Sequence, residues 1–244
     1  MRARISRLKI QIALLRRLSI TEPINAKGMI IYSYLLDHDL GLAPNPFGNY
    51  CTLAVCKPII RKSNNLGLGD WVIGTGSGAL EKSTGRKLTN KLIYAMKVTD
   101  KISLENYWND SRFQYKKPIM NGTLVTMFGD NFYHKDEKGN WIQDDSTHSN
   151  LDGTENVEHV KTDTEGKNVL VSEHFYYFGD KAPSIPNELI EVCHTTQGQK
   201  IIKPDQLAID FIKWLSSNFK KGVQGDPLNW NDYTQLRLFP DSFS

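Results

Sequence analysis

The sequence predicts an α+β protein: a small, strongly bent sheet or barrel of short strands, with one long helix near the C-terminus. Three observations predict it. Short apolar segments, about seven or eight of them, recur along the chain between clusters of Gly, Asn, Asp and Pro. One stretch, residues 204–221, carries a sustained helical stripe of Leu207, Phe211, Leu215 and Phe219, joined by Ala208 and Ile212. No internal repeat interrupts this order, so the strands and the helix belong to one architecture.

Taken in order, residues 4–20 mix basic and apolar side chains, with Ile5, Leu8, Ile12 and Leu15 on one helical face. Such a pattern suits a membrane surface or an acidic partner, an Arg-rich transit-like segment, or an extension outside the domain. The charge distribution favours the extension. Residues 1–28 hold seven of the 30 Lys/Arg and one of the 27 Asp/Glu, net +6, leaving 23 bases and 26 acids, net −3, for the rest. We therefore expect a basic appendage over 1–28, a single domain over 29–222, and a tail over 223–244 that packs on it through Trp230 and residues 236–239.

Residues 30–36 alternate as a first strand. Pro44 and Pro46 then stiffen an extended arm, Gly48 permits a turn, and residues 52–56 read as a short buried strand stopped by Lys57-Pro58. Residues 71–73 form a strand after the Gly69-Asp70 turn and end in the run Gly74-Thr75-Gly76-Ser77-Gly78. This run is not a P-loop, because Glu81 rather than glycine precedes Lys82-Ser83. Nor is it a dinucleotide fingerprint, because residues 79–82 are too short for the required helix before Ser83-Thr84-Gly85 breaks it. A strand follows at 91–98, then a short helix capped by Ser103 over 104–109. A hairpin is expected over 132–135 and 141–143. Residues 145–165 read as one long exposed polar loop, and 169–178 as the strongest late strand.

The chain is long enough for a substantial core. No run has the length to span a membrane. The odd count of three cysteines predicts no disulfide framework and a reducing, cytoplasmic compartment. The slightly acidic body excludes a general DNA-coating protein, so any nucleic-acid contact is local or uses the basic arm.

Two cysteines lie in the stiff arm. Cys51 and Cys56, five apart, fall on opposite faces if the strand is regular. A nucleophilic cysteine needs a neighbouring base or cation, and Lys57, His134, His148 and His174 are available. Cys51, Cys56 and His174 are thus the catalytic candidates, with a packing role as the plainer alternative for each. The pair Asp145 and His148 suits acid–base work or a solvated loop. Cys193-His194 matches no zinc spacing, so neither metal nor cofactor is expected. A base pocket wants aromatic rings beside amide, carboxylate and hydroxyl groups. Tyr32, Tyr34, Phe47, Trp71, Trp108 and Tyr176 supply rings. Asn45, Thr75, Gly76, Ser77, Asp130 and Asn131 supply polar edges beside strand ends.

The motifs Tyr32-Ser33-Tyr34, Ala43-Pro44-Asn45-Pro46-Phe47, Cys51-Thr52-Leu53-Ala54-Val55-Cys56-Lys57-Pro58, Gly69-Asp70-Trp71-Val72-Ile73-Gly74-Thr75-Gly76-Ser77, Tyr107-Trp108-Asn109-Asp110, Gly129-Asp130-Asn131 and His174-Phe175-Tyr176-Tyr177-Phe178-Gly179 together resemble the nucleotide modification associated domain 2 family. The resemblance runs from residue 29 to about residue 215 and omits the basic arm. The family is grouped by its association with systems that hypermodify DNA bases in phages and bacteria. A shorter likeness, through the Gly-Asp turn, the strand ending Gly-x-Gly-Ser and Tyr-Trp-x-Asp, is to PUA- and EVE-like barrels that hold a modified base in an aromatic pocket. The resemblance implies a nucleobase- or nucleotide-binding protein of DNA-modification or phage-defence systems, whose partner is a nucleic acid or nucleotide. The alternatives are a cysteine-dependent enzyme on the same substrates and an interaction protein whose basic N-terminal helix contacts an acidic partner.

Overall fold

Period-two segments form most of the expected strands, and long-range pairing sorts them into three sheets. The computed structural model describes residues 28–196 and 198–230. The basic stretch of residues 1–27 and the anchors at 236–239 lie outside the described residues. The strands are β1 (Ile31–Leu36), β2 (Cys51–Leu53), β3 (Trp71–Gly76), β4 (Leu92–Lys97), β5 (Asp100–Ser103), β6 (Tyr133–Lys135), β7 (Trp141–Gln143), β8 (Asn168–Ser172), β9 (His174–Tyr177), β10 (Gln199–Ile202) and β11 (Gly222–Val223). The helices are α1 (Pro58–Arg61), α2 (Gly78–Thr84), α3 (Leu104–Asn109), α4 (Leu124–Met127), α5 (Val157–Glu165) and α6 (Gln206–Asn218).

The main sheet has six strands in the order β10-β1-β3-β4-β9-β11. β1 runs parallel to β3, from Ile31 opposite Trp71 to Leu36 opposite Gly76, while β3–β4 and β4–β9 are antiparallel. β2, β8 and β5 form a smaller antiparallel sheet, and β6–β7 a hairpin. The fold is α+β as expected, and of the two expected forms, an open bent sheet or a barrel, the main sheet is not closed into a barrel. Closure needs the two edges to pair, and here β11 contributes two residues beside β9 while β10 pairs with β1 at the other edge. α6 connects these edges in sequence and buries Ala208, Phe211 and Leu215 in the core.

Four local expectations change, the first being the long loop over 145–165, of which Val157–Glu165 forms α5 behind its Asn156 cap. Residues 78–84 are helical because Ser77 Oγ accepts the Leu80 amide and Gly85 closes the helix at φ 67°. α6 starts after Asp205, whose carboxylate accepts the Ala208 amide, and ends at Asn218, so Pro204 and Phe219, at the two ends of the expected stripe, lie outside it. Residues 169–178 are not one strand: the chain leaves the small sheet at Ser172 and enters the main one at His174. Hydroxyls hold this corner, with Thr99 Oγ1 accepting the Glu173 amide at 3.0 Å and Ser172 Oγ the His174 amide at 3.1 Å.

Residues beyond β11 continue onto the domain. Asp39 is buried and accepts hydrogen bonds from the Tyr177 hydroxyl and, at 3.1 Å, the Leu228 amide. Burial pushes its carboxyl up to about 6, against the pull of those donors. Trp230 donates its indole N–H to the Leu40 carbonyl at 2.9 Å and stacks on Phe47, ring centroids 5.3 Å apart.

Candidate functional site

The chain leaves β2 through buried Ala54 and Val55 and then adopts the left-handed conformation at two consecutive non-glycine residues, Cys56 (φ 55°) and Lys57 (φ 41°). Each costs about 1–3 kcal/mol in isolation, so the surroundings must hold the turn. They do so from both sides of Cys56. Its amide donates to Asp163 Oδ1 at 2.6 Å, and its carbonyl accepts from Arg61 Nε at 2.7 Å. Pro58 then opens α1.

Arg61 is wholly buried. Nη1 donates to the Asn168 carbonyl at 3.0 Å, and Nη2 to the Asp163 carbonyl at 2.5 Å, with the Asp163 carboxylate 3.9 Å away as counter-ion. One guanidinium thereby ties the Cys56 turn, α5 and β8 together. A Cβ on Gly166 would lie 2.4 Å from Arg61 Cζ. A free side-chain end would move aside, but this one is held by three carbonyls. Gly166→Ala is therefore expected to lower stability by about 2–3 kcal/mol, through overpacking and lost charged hydrogen bonds. Urea unfolding measures this, and an unchanged midpoint would refute it.

α5 brings Asp163 inward. Asn156 caps it by accepting the His159 amide, and its buried residues are Val160 and Asp163. Asp163 Oδ2 lies 2.7 Å from His148 Nδ1 and accepts the Tyr133 hydroxyl at 2.9 Å. Gln143 supports Tyr133 at 3.0 Å, and its side-chain oxygen accepts the Asn156 amide at 2.8 Å. Burial alone would raise the Asp163 carboxyl; His148, the Cys56 amide and Arg61 outweigh it and hold the group below the usual carboxylate range. A carboxylate only accepts, so His148 Nδ1 carries the proton and the other ring nitrogen faces the thiol.

His148 Nε2 is 3.9 Å from Cys56 Sγ. Burial opposes a charged His148, but Asp163 and Cys56 overcome it and raise the imidazole to about 9. Exposure falls along the chain of groups: Cys56 is partly exposed, the His148 side chain 12% and the Asp163 side chain 3%. A reachable thiol, an oriented imidazole and a buried carboxylate are the parts that a nucleophile, a base and an orienting group require. His159 stands beside His148, ring centroids 4.4 Å apart, and is exposed.

The other catalytic candidates lie elsewhere. Cys51 is fully buried in β2, and burial pushes its thiol up to about 12. The strand ends at Leu53, so the two-face argument does not extend to Cys56. His174 packs edge-on against Trp71 at 5.3 Å, with Nε2 3.4 Å from the Tyr176 hydroxyl. Lys57 folds back, its ammonium 4.5 Å from the Tyr34 ring centroid.

The residues expected to surround a base fall into separate groups. Asn45 donates to the Phe128 carbonyl at 2.9 Å and accepts from Lys116 Nζ at 2.6 Å. Asp130 accepts from Thr52 and from Tyr107, both at 2.6 Å, and Asn131 donates to the Tyr107 and Phe113 carbonyls. All three are buried in this one network. Trp71 stacks on Tyr176, Phe47 on Trp230, and Trp108 on His134, with Lys117 Nζ 3.4 Å from the Trp108 centroid. Tyr32 bonds Ser63, Tyr34 accepts from Tyr94, and Thr75 donates to the Tyr34 carbonyl at 3.5 Å. Gly76 pairs with Lys91, and Ser77 caps α2. A cleft of about 640 Å³ beside Ile190, Cys193 and Lys200 contains none of them.

Three site residues escaped the sequence reading as a set. His148 is one of several possible bases in the sequence, Asp163 falls within the polar stretch 145–165, and no pattern in the sequence marks Arg61. The available signal was Asn156 as a cap ahead of residues 159 and 163, one helical turn apart.

These motifs share the chain with a longer match. The family model described as nucleotide modification associated domain 2 matches residues 29–234. The chain belongs to that family. Its role is therefore linked to nucleotide modification, in keeping with a nucleotide or nucleic-acid partner. The match begins where residues 1–28 end and carries Cys56, His148 and Asp163 within its span. No curated protein and no solved structure matches the chain. No helix among the described residues is long and apolar enough to cross a membrane.

Proposed function

We propose that this domain is a thiol-dependent enzyme of nucleotide modification, acting by covalent catalysis at an electrophilic carbon of a nucleotide or of the group attached to its base. The observation that supports this reading is the connected chain Cys56–His148–Asp163, built at a strained turn and graded from accessible thiol to buried carboxylate. Raised to about 9, His148 already holds the thiol proton as an imidazolium at neutral pH, and the Cys56 thiolate paired with it adds to the carbon. The protonated imidazole gives that proton to the leaving group as its bond breaks. A second acceptor, water or a nucleophilic substituent, then displaces the thiol with His148 again removing the proton. Asp163 holds the imidazole in the tautomer this requires.

This reading is preferred to that of a protein that only holds a base. Of the rings named for the pocket, Phe47, Trp71, Trp108 and Tyr176 stack on other rings of the protein, and Asn45 and Asp130 bond internal groups. The acidic body suits a nucleotide or one local nucleic-acid contact.

Iodoacetamide labelling of the folded full chain at neutral pH, read by peptide mass spectrometry, tests the proposal. Cys56 is expected to react first, with Cys51 and Cys193, both buried, modified only on unfolding. A panel of nucleotides and modified nucleosides then identifies the substrate class by protection of Cys56. A Cys56 that reacts no faster than free cysteine would sink the reading.

A further inference from the structure

The structure assigns a transition-metal site to the rim of the same centre: we propose that His148, His159 and Asp163 bind one zinc ion, and that its binding excludes the Cys56–His148–Asp163 arrangement. Occupancy stands on the ligand geometry alone; the exclusion rests on the thiol reading above.

Each of the three residues presents one ligand atom, and these atoms lie within 4.8 Å of one another. Two donors at about 2.1 Å from one zinc are at most about 4.2 Å apart, so a modest side-chain rotation closes the set. His159 can make that rotation, because it is exposed, and it also gives the ion a path from solvent. His159 and Asp163 sit one turn apart on the same face of α5, while His148 arrives from the preceding loop. Two imidazoles and one carboxylate suit a borderline ion such as zinc and not magnesium or calcium, which take oxygen ligands. The Cys56 thiol, 3.9 Å from His148 Nε2, adds a soft donor beside the site.

No cysteine spacing in the sequence announces this site, which explains the sequence-based expectation of no metal. The ligands are separated by 15 residues between His148 and Asp163, and come from a loop and a helix that only the fold brings together. His148 and Asp163 are now joined by a 2.7 Å hydrogen bond. An ion bound at Nδ1 displaces its proton to solvent and occupies the Asp163 oxygen that accepted it, so this hydrogen bond is lost. The imidazole then cannot keep its orientation toward the thiol, so zinc binding and thiol activation compete.

The test uses the full chain freed of metal by a chelator that is then removed. Zinc chloride is titrated by calorimetry, and iodoacetamide labelling of Cys56 is followed with and without zinc. One zinc per chain is expected, with labelling of Cys56 slowed at least about tenfold and restored by chelator. His159→Ala is expected to weaken zinc binding at least about 10–100-fold, the range that even an outer-sphere partner commands. Absence of saturable binding, or equal affinity in His159→Ala, overturns the site. Binding that leaves labelling unchanged overturns the exclusion. A Cys56 that is unreactive without zinc counts against the thiol reading only, since the calorimetry still decides the site.

Discussion

His148→Ala is expected to slow alkylation of Cys56 at neutral pH by on the order of 100-fold, the lower end of what a positioned base contributes. The expectation follows from the 3.9 Å contact between Nε2 and Sγ and from the absence of any other bonded histidine at that thiol among the described residues. The substitution is well suited to the purpose, because the fold does not hang on it. Asp163 keeps the Cys56 amide, the Tyr133 hydroxyl and the nearby Arg61 charge when the imidazole is removed. Urea unfolding of the variant separates a lost base from a lost fold. Cys51 and Cys193 serve as internal controls, since both are buried and label only if the variant opens. Equal labelling rates in the two proteins, with equal stability, would remove His148 from the proposed chemistry.

Asp130→Ala is expected to destabilise the domain by about 3–5 kcal/mol, the second large effect. Asp130 lies in a buried network with Thr52 and Tyr107, whose hydroxyls both donate to it at 2.6 Å. Lys116, also buried, donates to the Asn45 carbonyl and side-chain oxygen at 3.0 and 2.6 Å. Burial draws its ammonium down to about 8, and the Asp130 charge works the other way. Alanine removes the carboxylate that accepts from two buried hydroxyls, leaving Tyr107 only its 3.3 Å bond to Thr52 Oγ1, and leaves Lys116 without its counter-charge. Replacing Lys116 by Met together with Asp130 by Leu should recover part of the loss, because removing both charges is less damaging than removing one. Denaturant unfolding measures both variants. The result also bears on base binding: a residue kept for a ligand edge would give a variant within about 0.5 kcal/mol of the parent, as surface substitutions do. Such a value would return Asp130 to the list of ligand groups.

Local pattern alone determined a large part of this protein. Alternation in residues 30–36, the paired prolines at 44 and 46, Ser103 as a cap and the hairpin around Gly139 all follow from interactions within a few residues, where turn chemistry and period decide the backbone. The α6 stripe is of the same kind, displaced at both ends: Asp205 offers a better cap than the proline before it, and the helix stops at Asn218 with Phe219 already extended. The long motifs also revealed the family. Tertiary structure decided the rest. Whether the sheet closes depends on β10 and β11 meeting, two edges whose pairing no local pattern expresses. The left-handed backbone at Cys56 is invisible in a sequence without glycine there; Asp163, 107 residues on, helps to hold it. α5 looks like loop because its inward face carries a carboxylate where a helical stripe would carry an apolar residue. His148 lies 92 residues from Cys56, so its selection from the chain's histidines had to wait for the fold. Polar groups that a folded interior pairs with one another read, one residue at a time, like groups meant for water.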